Sequence, residues 1–230
     1  MQLFHAQITL KPKEALIMQQ NFQRELDEII SAISPAAPPR LLLHACCAPC
    51  SSYVLTYLSR FFVITISYYN PNIAPSDEYY RRRDELKAML SQIDFYNPVS
   101  FIEEDYNPED FYSAVKGLEN EPERGKRCEI CFKLRLRRAA LRALELECDY
   151  FCTTLSISPH KNAEVINAVS AEINTELGVT HLPADFKKRG GYQQSLALSR
   201  KYGLYRQDYC GCAFSMRQND ASSQQPKFAK

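Results

Sequence analysis

The chain has 230 residues, 45% of them hydrophobic, and carries 28 Lys and Arg against 27 Asp and Glu. That length suits one large domain or one domain with a small appendage, and the balance of charge excludes a global electrostatic footprint for nucleic acid, so such a partner has to be held by a local patch. The apolar runs at 40–50 and 60–69 are far shorter than the ~20 residues that span a bilayer, and the start of the chain has no signal-peptide core, so a cytoplasmic protein without a membrane partner is expected.

In chain order, apolar spacing predicts an amphipathic helix over 14–33, broken by the proline-rich 34–40. "LLLHA" (41–45) reads as a buried strand and "FFVITISYYN" (61–70) as a second, ended by Asn70-Pro71-Asn72. A helix over 75–93 follows, with Ser76 as its expected N-cap and acidic residues in its first turn. Residues 98–104 read as a strand, 107–117 as a short helix closing at Gly117, and 126–147 as a long basic helix. A strand at 149–158, a helix at 161–178 ending on Gly178, a short strand at 180–186 and a loop and helix at 190–204 complete the pattern. Strands alternate with helices, and two strands are continuous apolar runs. The expected fold is therefore α/β, a mainly parallel Rossmann-like sheet covered by helices on both faces. Chemistry in such folds gathers beyond the carboxyl ends of the strands. The expected organisation is a helical extension and linker over 1–39, a catalytic α/β domain over 40–217, and a disordered polar tail over 218–230.

Nine cysteines in a reducing compartment point to metal binding or redox chemistry rather than structural disulfides. Seven fall in three tight groups. Cys46, Cys47 and Cys50 follow the strand "LLLHA"; adjacent strand side chains point to opposite faces, so the backbone has to turn there for both to serve one centre. Pro49 suits the turn into a helix, with Ser51 or Ser52 expected to cap it, and a helix N-terminus favours thiolates. Buried core cysteines are the plainer alternative. Cys128 and Cys131 share a helix face at i, i+3, with Arg124, Lys126 and Arg127 upstream expected to stabilise their thiolates. Together the two groups can form a zinc knot or hold an iron–sulfur centre; the CCxxC pattern and the surplus cysteine favour iron–sulfur. Cys210 and Cys212 flank Gly211. They read as a redox pair whose small ring Gly211 can accommodate, or else as two more metal ligands or a chance pair. Cys148 and Cys152, beside an apolar strand, read as core residues.

Taken together, "LLLHACCAPCSSY", "YYNPNIAPSDEYYRR", "RCEICFKLRL", "FCTTLSISPHKN" and "YCGCAFSM" resemble the cobalamin-independent epoxyqueuosine reductases over about residues 40–217. The resemblance implies an oxidoreductase that takes the epoxide oxygen from epoxyqueuosine at the tRNA wobble position, leaving a cyclopentene, as the last step of queuosine synthesis. It implies a 4Fe–4S cluster on Cys46, Cys47, Cys128 and Cys131, and a redox-active disulfide pair at Cys210 and Cys212. It further implies a possible additional mononuclear iron, for which Cys50 is one candidate ligand. The partners implied are tRNA carrying epoxyqueuosine and an electron donor that the sequence does not name.

Opening an epoxide needs a Lewis acid or proton donor at the oxygen; Tyr209, Asp208 and His160 are candidate donors, although Tyr209 can equally be packing and His160 a helix cap. Basic runs at 81–87, 133–142, 187–191 and 200–206 are candidate tRNA contacts, or solvated helix faces. They imply acidic surface elsewhere, as at 103–110 and 145–149. Two rivals remain at this stage. An ATP-dependent tRNA thiolation enzyme needs a glycine-rich phosphate loop after the first strand, where this chain has "HACCAPCSS" without glycine. A zinc-stabilised RNA-binding module explains four cysteines but not the CGC pair.

Overall fold

The computed structural model describes residues 20–216; the tail expected over 218–230 and the beginning of the helix expected over 14–33 lie outside the described residues. Five parallel strands form one sheet: β1 (Arg40–His44), β2 (Val63–Tyr68), β3 (Val99–Glu103), β4 (Tyr150–Thr153) and β5 (Thr180–His181), in the spatial order β3-β2-β1-β4-β5. The helices are α1 (Phe22–Ser31), α2 (Ala48–Leu58), α3 (Ser76–Leu90), α4 (Pro108–Ala114), α5 (Lys126–Glu145), α6 (Ala163–Leu177) and α7 (Gly191–Lys201). The α/β fold read from the sequence is the fold observed.

The period of two along each strand divides the core into two layers. On β1, Leu41 and Leu43 join one apolar cluster with Leu26 of α1, Leu55 of α2 and Leu86 of α3. Leu42 points the other way, into a second cluster with Leu136 and Ala140 of α5 and Ile166 of α6. α7 packs on α2, and α5 on α6. A central strand buried on both faces needs the unbroken apolar run that the sequence supplies.

The direction of the strands positions the site. The chain builds outward from β1 to β3, then crosses back to place β4 on the free side of β1. The crevice at the carboxyl ends of β1 and β4 is thus the topological switch point. α2 starts there. So does α5, because it enters from the carboxyl end of β3 and runs back to the start of β4. Cysteines on either side of residues 51–127 thereby reach one rim.

Several local expectations need correction. Ser76 is the first helical residue of α3 and does not cap it; extended Pro75 holds the N-cap position. Asn162, not His160, caps α6, accepting from the Glu164 N–H at 2.8 Å. β4 ends at Thr153, where the Thr153 hydroxyl accepts from the Leu155 N–H at 3.1 Å and turns the chain into a 3-10 turn over Thr154–Ile157. β5 stops after two residues; Leu182 still donates to the Phe151 carbonyl at 2.9 Å, but Pro183 has no N–H to extend the ladder.

Candidate metal and redox site

β1 delivers Cys46 and Cys47 straight into the start of α2. Cys47 is the N-cap residue, extended at φ −168° and ψ 159°, and a proline stands in the first turn. The expected capping by Ser51 or Ser52 is not what the hydroxyls do. Ser51 Oγ donates to the Cys47 carbonyl at 2.8 Å and Ser52 Oγ to the Pro49 carbonyl at 3.0 Å. No side-chain oxygen caps the first turn; its N–H groups face the thiols with their partial positive charge, and that of Cys50 bonds to the Cys47 sulfur. This turn answers the geometric demand of adjacent cysteines: the sulfurs of Cys46, Cys47 and Cys50 all lie within 4.8 Å of one another. The Cys46 and Cys47 sulfurs are 3.9 Å apart. Hydrogen bonds from the Cys47 and Cys50 thiols hold Cys46 well below the ordinary thiol range. The same bonds push Cys47 up to about 12 and Cys50 well above its usual value. Three sulfurs this close together can hold a metal ion, which they would bind as thiolates.

Behind the triad, buried His44 is fixed between the Thr153 hydroxyl at 2.9 Å from Nδ1 and the Tyr69 carbonyl at 3.2 Å from Nε2. A carbonyl only accepts, so Nε2 carries the proton and Nδ1 accepts from Thr153. Burial, with the nearby Arg135 cation, lowers its pKa to about 4 and keeps it neutral.

Cys128 and Cys131 occupy the opening turns of α5. The arginines upstream do not govern them as the sequence suggested. Burial raises the Cys128 thiol, outweighing the Arg124 N–H that reaches its sulfur at 3.3 Å, and pushes Cys131 up to about 11. Arg127 is committed elsewhere: its buried guanidinium donates to the Leu118 and Glu119 carbonyls at 3.2 and 3.0 Å and lies 4.7 Å from the Phe214 ring.

Cys210 and Cys212 are free thiols in this structure, as are all nine cysteines. A hydrogen bond from Cys212 holds Cys210 well below the ordinary thiol range and, conversely, raises Cys212. Gly211 between them sits at φ +111°, a conformation that L side chains rarely adopt.

Two cavities join the three groups. A cleft of about 340 Å³ is lined by Cys46, Cys50, His160, Lys161, Asp208 and Cys210, within the range of small-molecule sites. The neighbouring cavity is lined by Asn72, Arg127, Cys128, Cys131, Cys210 and Cys212. Cys210 and Lys161 border both. The candidate proton donors Tyr209, Asp208 and His160 all line the first, although the Tyr209 hydroxyl donates to the Ala74 carbonyl at 3.0 Å. Cys148 and Cys152 are buried in the apolar clusters, away from these cavities.

Sequence reasoning missed Lys161. Burial works against its charge, but the Cys46 and Cys50 sulfurs beside it outweigh burial and raise its pKa. Its neighbour His160 drew attention by residue type and lines both cavities as well; what sets the lysine apart is the pull of the nearby Cys46 and Cys50 sulfurs on its charge. The four basic runs also divide. In the first, Arg82 is buried on Glu78 at 2.6 Å, and Arg83 and Lys87 pair with Glu103 at 2.7 and 2.8 Å. In the second, Lys133 pairs with Glu172 at 3.1 Å, while Arg138 and Arg142 converge on Glu104 at 2.7 Å each. Glu104, expected on an acidic surface, is in fact buried beneath them. The third and fourth runs border the cavities: Arg206 lines the cleft with Cys46, and Lys187 and Lys188 line a groove that shares Lys161, with Lys187 paired to Asp185 at 2.8 Å and Arg189 to Asp27 at 2.5 Å.

Comparison with known proteins follows the same residues. A family model described as epoxyqueuosine reductase QueH matches residues 41–218. The epoxyqueuosine reductase QueH of Streptococcus pyogenes serotype M1 is 45% identical over 78% of this chain and 71% of its own length. That of Staphylococcus epidermidis is 41% identical over 91% and 89%, and that of Thermotoga maritima 37% identical over 76% and 90%. Among the described residues, no helix is long and apolar enough to cross a membrane.

Proposed function

The chain belongs to the epoxyqueuosine reductase QueH family and is an oxidoreductase of queuosine biosynthesis; from that premise we propose how its residues carry the reaction. The substrate is epoxyqueuosine at the wobble position of a tRNA. The observation that carries this reading is the convergence of three cysteine groups on two cavities that share Cys210 and Lys161.

The donor set fits an iron–sulfur centre. The triad supplies thiols within 4.8 Å of one another, and Cys128 and Cys131 supply two more on the same rim. In our assignment Cys46, Cys47, Cys128 and Cys131 hold a 4Fe–4S cluster, and Cys50 is free to ligate an additional iron. When bound, such a centre supplies electrons one at a time and a Lewis-acidic iron. The chain's own residues account for the rest. Removing the epoxide oxygen as water takes two electrons and two protons. The Cys210–Cys212 dithiol holds both: as its two S–H bonds are lost and one S–S bond forms, the epoxide becomes an alkene and water. An external electron donor then returns two electrons and two protons to the disulfide. Cys210, whose thiol the Cys212 hydrogen bond holds well below the ordinary range, is the sulfur prepared to give up its proton and react first. Tyr209, held protonated by burial that raises its pKa to about 12, and the ammonium of Lys161 stand at the cleft where an alkoxide leaving the epoxide needs a proton.

Purification without oxygen, followed by iron, sulfide and zinc analysis and an assay of epoxide reduction on tRNA, tests this. The expected result is a coloured protein with iron and sulfide that converts epoxyqueuosine to queuosine. A colourless protein with one zinc and no turnover would overturn it.

The tRNA is held by Lys188 and Arg206 beside the clefts rather than by α3 and α5, whose cations are largely spent on ion pairs. Lys188→Ala and Arg206→Ala are expected to weaken tRNA binding, each lowering the slope of log affinity against log salt by about 0.7–0.9 per lost phosphate contact. Turnover at saturating tRNA stays within a few fold for Lys188→Ala. Lys133→Ala, on the paired face of α5, leaves the slope unchanged. Equal slopes for all three in a salt titration would place the tRNA elsewhere.

A further inference from the structure

We infer that Arg82 is the positioning residue of the Cys210–Cys212 pair, setting how readily those two sulfurs join. The inference rests on reading that pair as redox-active.

In the sequence Arg82 belongs to a basic run that looks like an exposed helix face. In the structure it is among the largest fully buried side chains, 1% exposed in the middle of α3. Burying a guanidinium is costly, and a buried ion pair usually returns little net stability. Its Nε donates to Glu78 at 2.6 Å. Its Nη1 donates to the carbonyl of Cys210 at 3.3 Å, and Nη2 has no protein partner. The charge is buried where it touches the backbone of the CGC turn.

The rest of the surroundings serve the same turn. Glu78, Arg82 and Glu85 form one stripe of α3 at i, i+4 and i+7. Glu78 accepts from the Tyr205 hydroxyl at 3.4 Å, and Glu85 from the Tyr205 backbone N–H. The Tyr209 ring centre lies 5.1 Å from the Arg82 guanidinium carbon. On the other side, the Ala74 N–H donates to the Gly211 carbonyl at 2.8 Å. Fit against Arg82 is close: a Cβ on Gly211 would come within 2.9 Å of Arg82 Nη1 and 3.0 Å of Ile73 Cγ1. The Ser215 hydroxyl accepts from the Cys210 N–H at 3.2 Å. The turn is thus clamped through the N–H and C=O of Cys210 and the C=O of Gly211, while the two sulfurs face each other in a hydrogen bond. A clamped turn keeps them side by side in the dithiol, which raises their effective concentration for bond closure.

The test is a glutathione titration of the metal-loaded enzyme, in which the dithiol and oxidised glutathione give the Cys210–Cys212 disulfide and two reduced glutathiones. The closed fraction is read by alkylation and mass spectrometry of the peptide that contains both cysteines. Arg82→Lys keeps the charge and can keep the Glu78 pair but loses the fork to Cys210. Arg82→Met loses both. Each is expected to lower the closure constant at least tenfold, which is about 30 mV toward a more oxidising couple, with iron content unchanged. If Arg82→Met does not fold, as judged by circular dichroism, Arg82→Lys carries the test. Gly211→Ala, which presses on the same contact from the loop side, is expected to shift the constant in the same direction. Closure constants for Arg82→Lys and Gly211→Ala equal to that of the unmodified enzyme would overturn the positioning role. Failure of the unmodified enzyme to form the bond at any glutathione ratio would instead overturn the redox reading of the pair.

Discussion

Cys47→Ser, Cys46→Ser, Cys128→Ser and Cys131→Ser should each yield protein without iron–sulfur colour, with sulfide lost and epoxide reduction down more than ~100-fold, since loss of a mere outer-shell partner already costs 10–100-fold. The two halves of this ligand set differ in how they are built. Cys46 and Cys47 sit where β1 gives way to α2, and their sulfurs are already gathered with Cys50 within 4.8 Å. Cys128 and Cys131 come from α5 and border the cavity that Cys210 and Cys212 also line. Cys50 separates two assignments of the ligands. If it serves only a further iron, Cys50→Ser keeps the sulfide and most of the iron. If the triad itself is the ligand core, Cys50→Ser loses the sulfide with the iron, and one of the α5 variants keeps both. Iron and sulfide counts on the five variants, purified without oxygen, decide between them.

The second large effect is at the other end of the cavity. Cys210→Ser and Cys212→Ser should each lower turnover more than ~100-fold, and the double variant should be no worse than either, because residues that act as one unit are strongly non-additive. Iron and sulfide are expected to stay at the unmodified level. That last measurement distinguishes a redox pair from two more metal ligands, the alternative that the sequence left open. The two thiols also differ. Cys210 is held low by the hydrogen bond from Cys212, while Cys212 is raised, so a thiol alkylating agent at neutral pH should label Cys210 first. Full turnover by either serine variant with the physiological reductant would remove the pair from the reaction.

What the sequence made legible was mostly local. The apolar run before Cys46, the proline at the start of α2 and the CxxC at the head of α5 are patterns within a few residues, and each stands where its local physics puts it. Gly178 ends α6 in the left-handed conformation at φ 72°, as its position suggested. The misread charges share a cause in long-range pairing. "RRRDELK" and "KLRLRRAALR" carry charges at helical spacing, which reads as surface. Glu103 and Glu104 at the end of β3 reach back to pair with Arg83 and Lys87 and forward to Arg138 and Arg142. No window of sequence contains both partners. Arg82 and Arg127 were hidden in the same way, because only the folded chain shows that each is buried against backbone carbonyls. Lys161 was overlooked beside a histidine, since what marks it is its closeness in the folded chain to the Cys46 and Cys50 sulfurs.

The common direction of the five strands has a practical side. Every group assigned a part in binding or chemistry lies at their carboxyl ends, which leaves the opposite rim open to modification. The turn after α3, over residues 91–98, lies on that rim and exposes Tyr96 at 79%. A short peptide tag inserted there, or a surface anchor attached there, would hold the molecule with its cleft facing away from the support. Immobilised in that orientation, the enzyme could be exposed in turn to tRNA and to candidate electron donors without its attachment point competing for either.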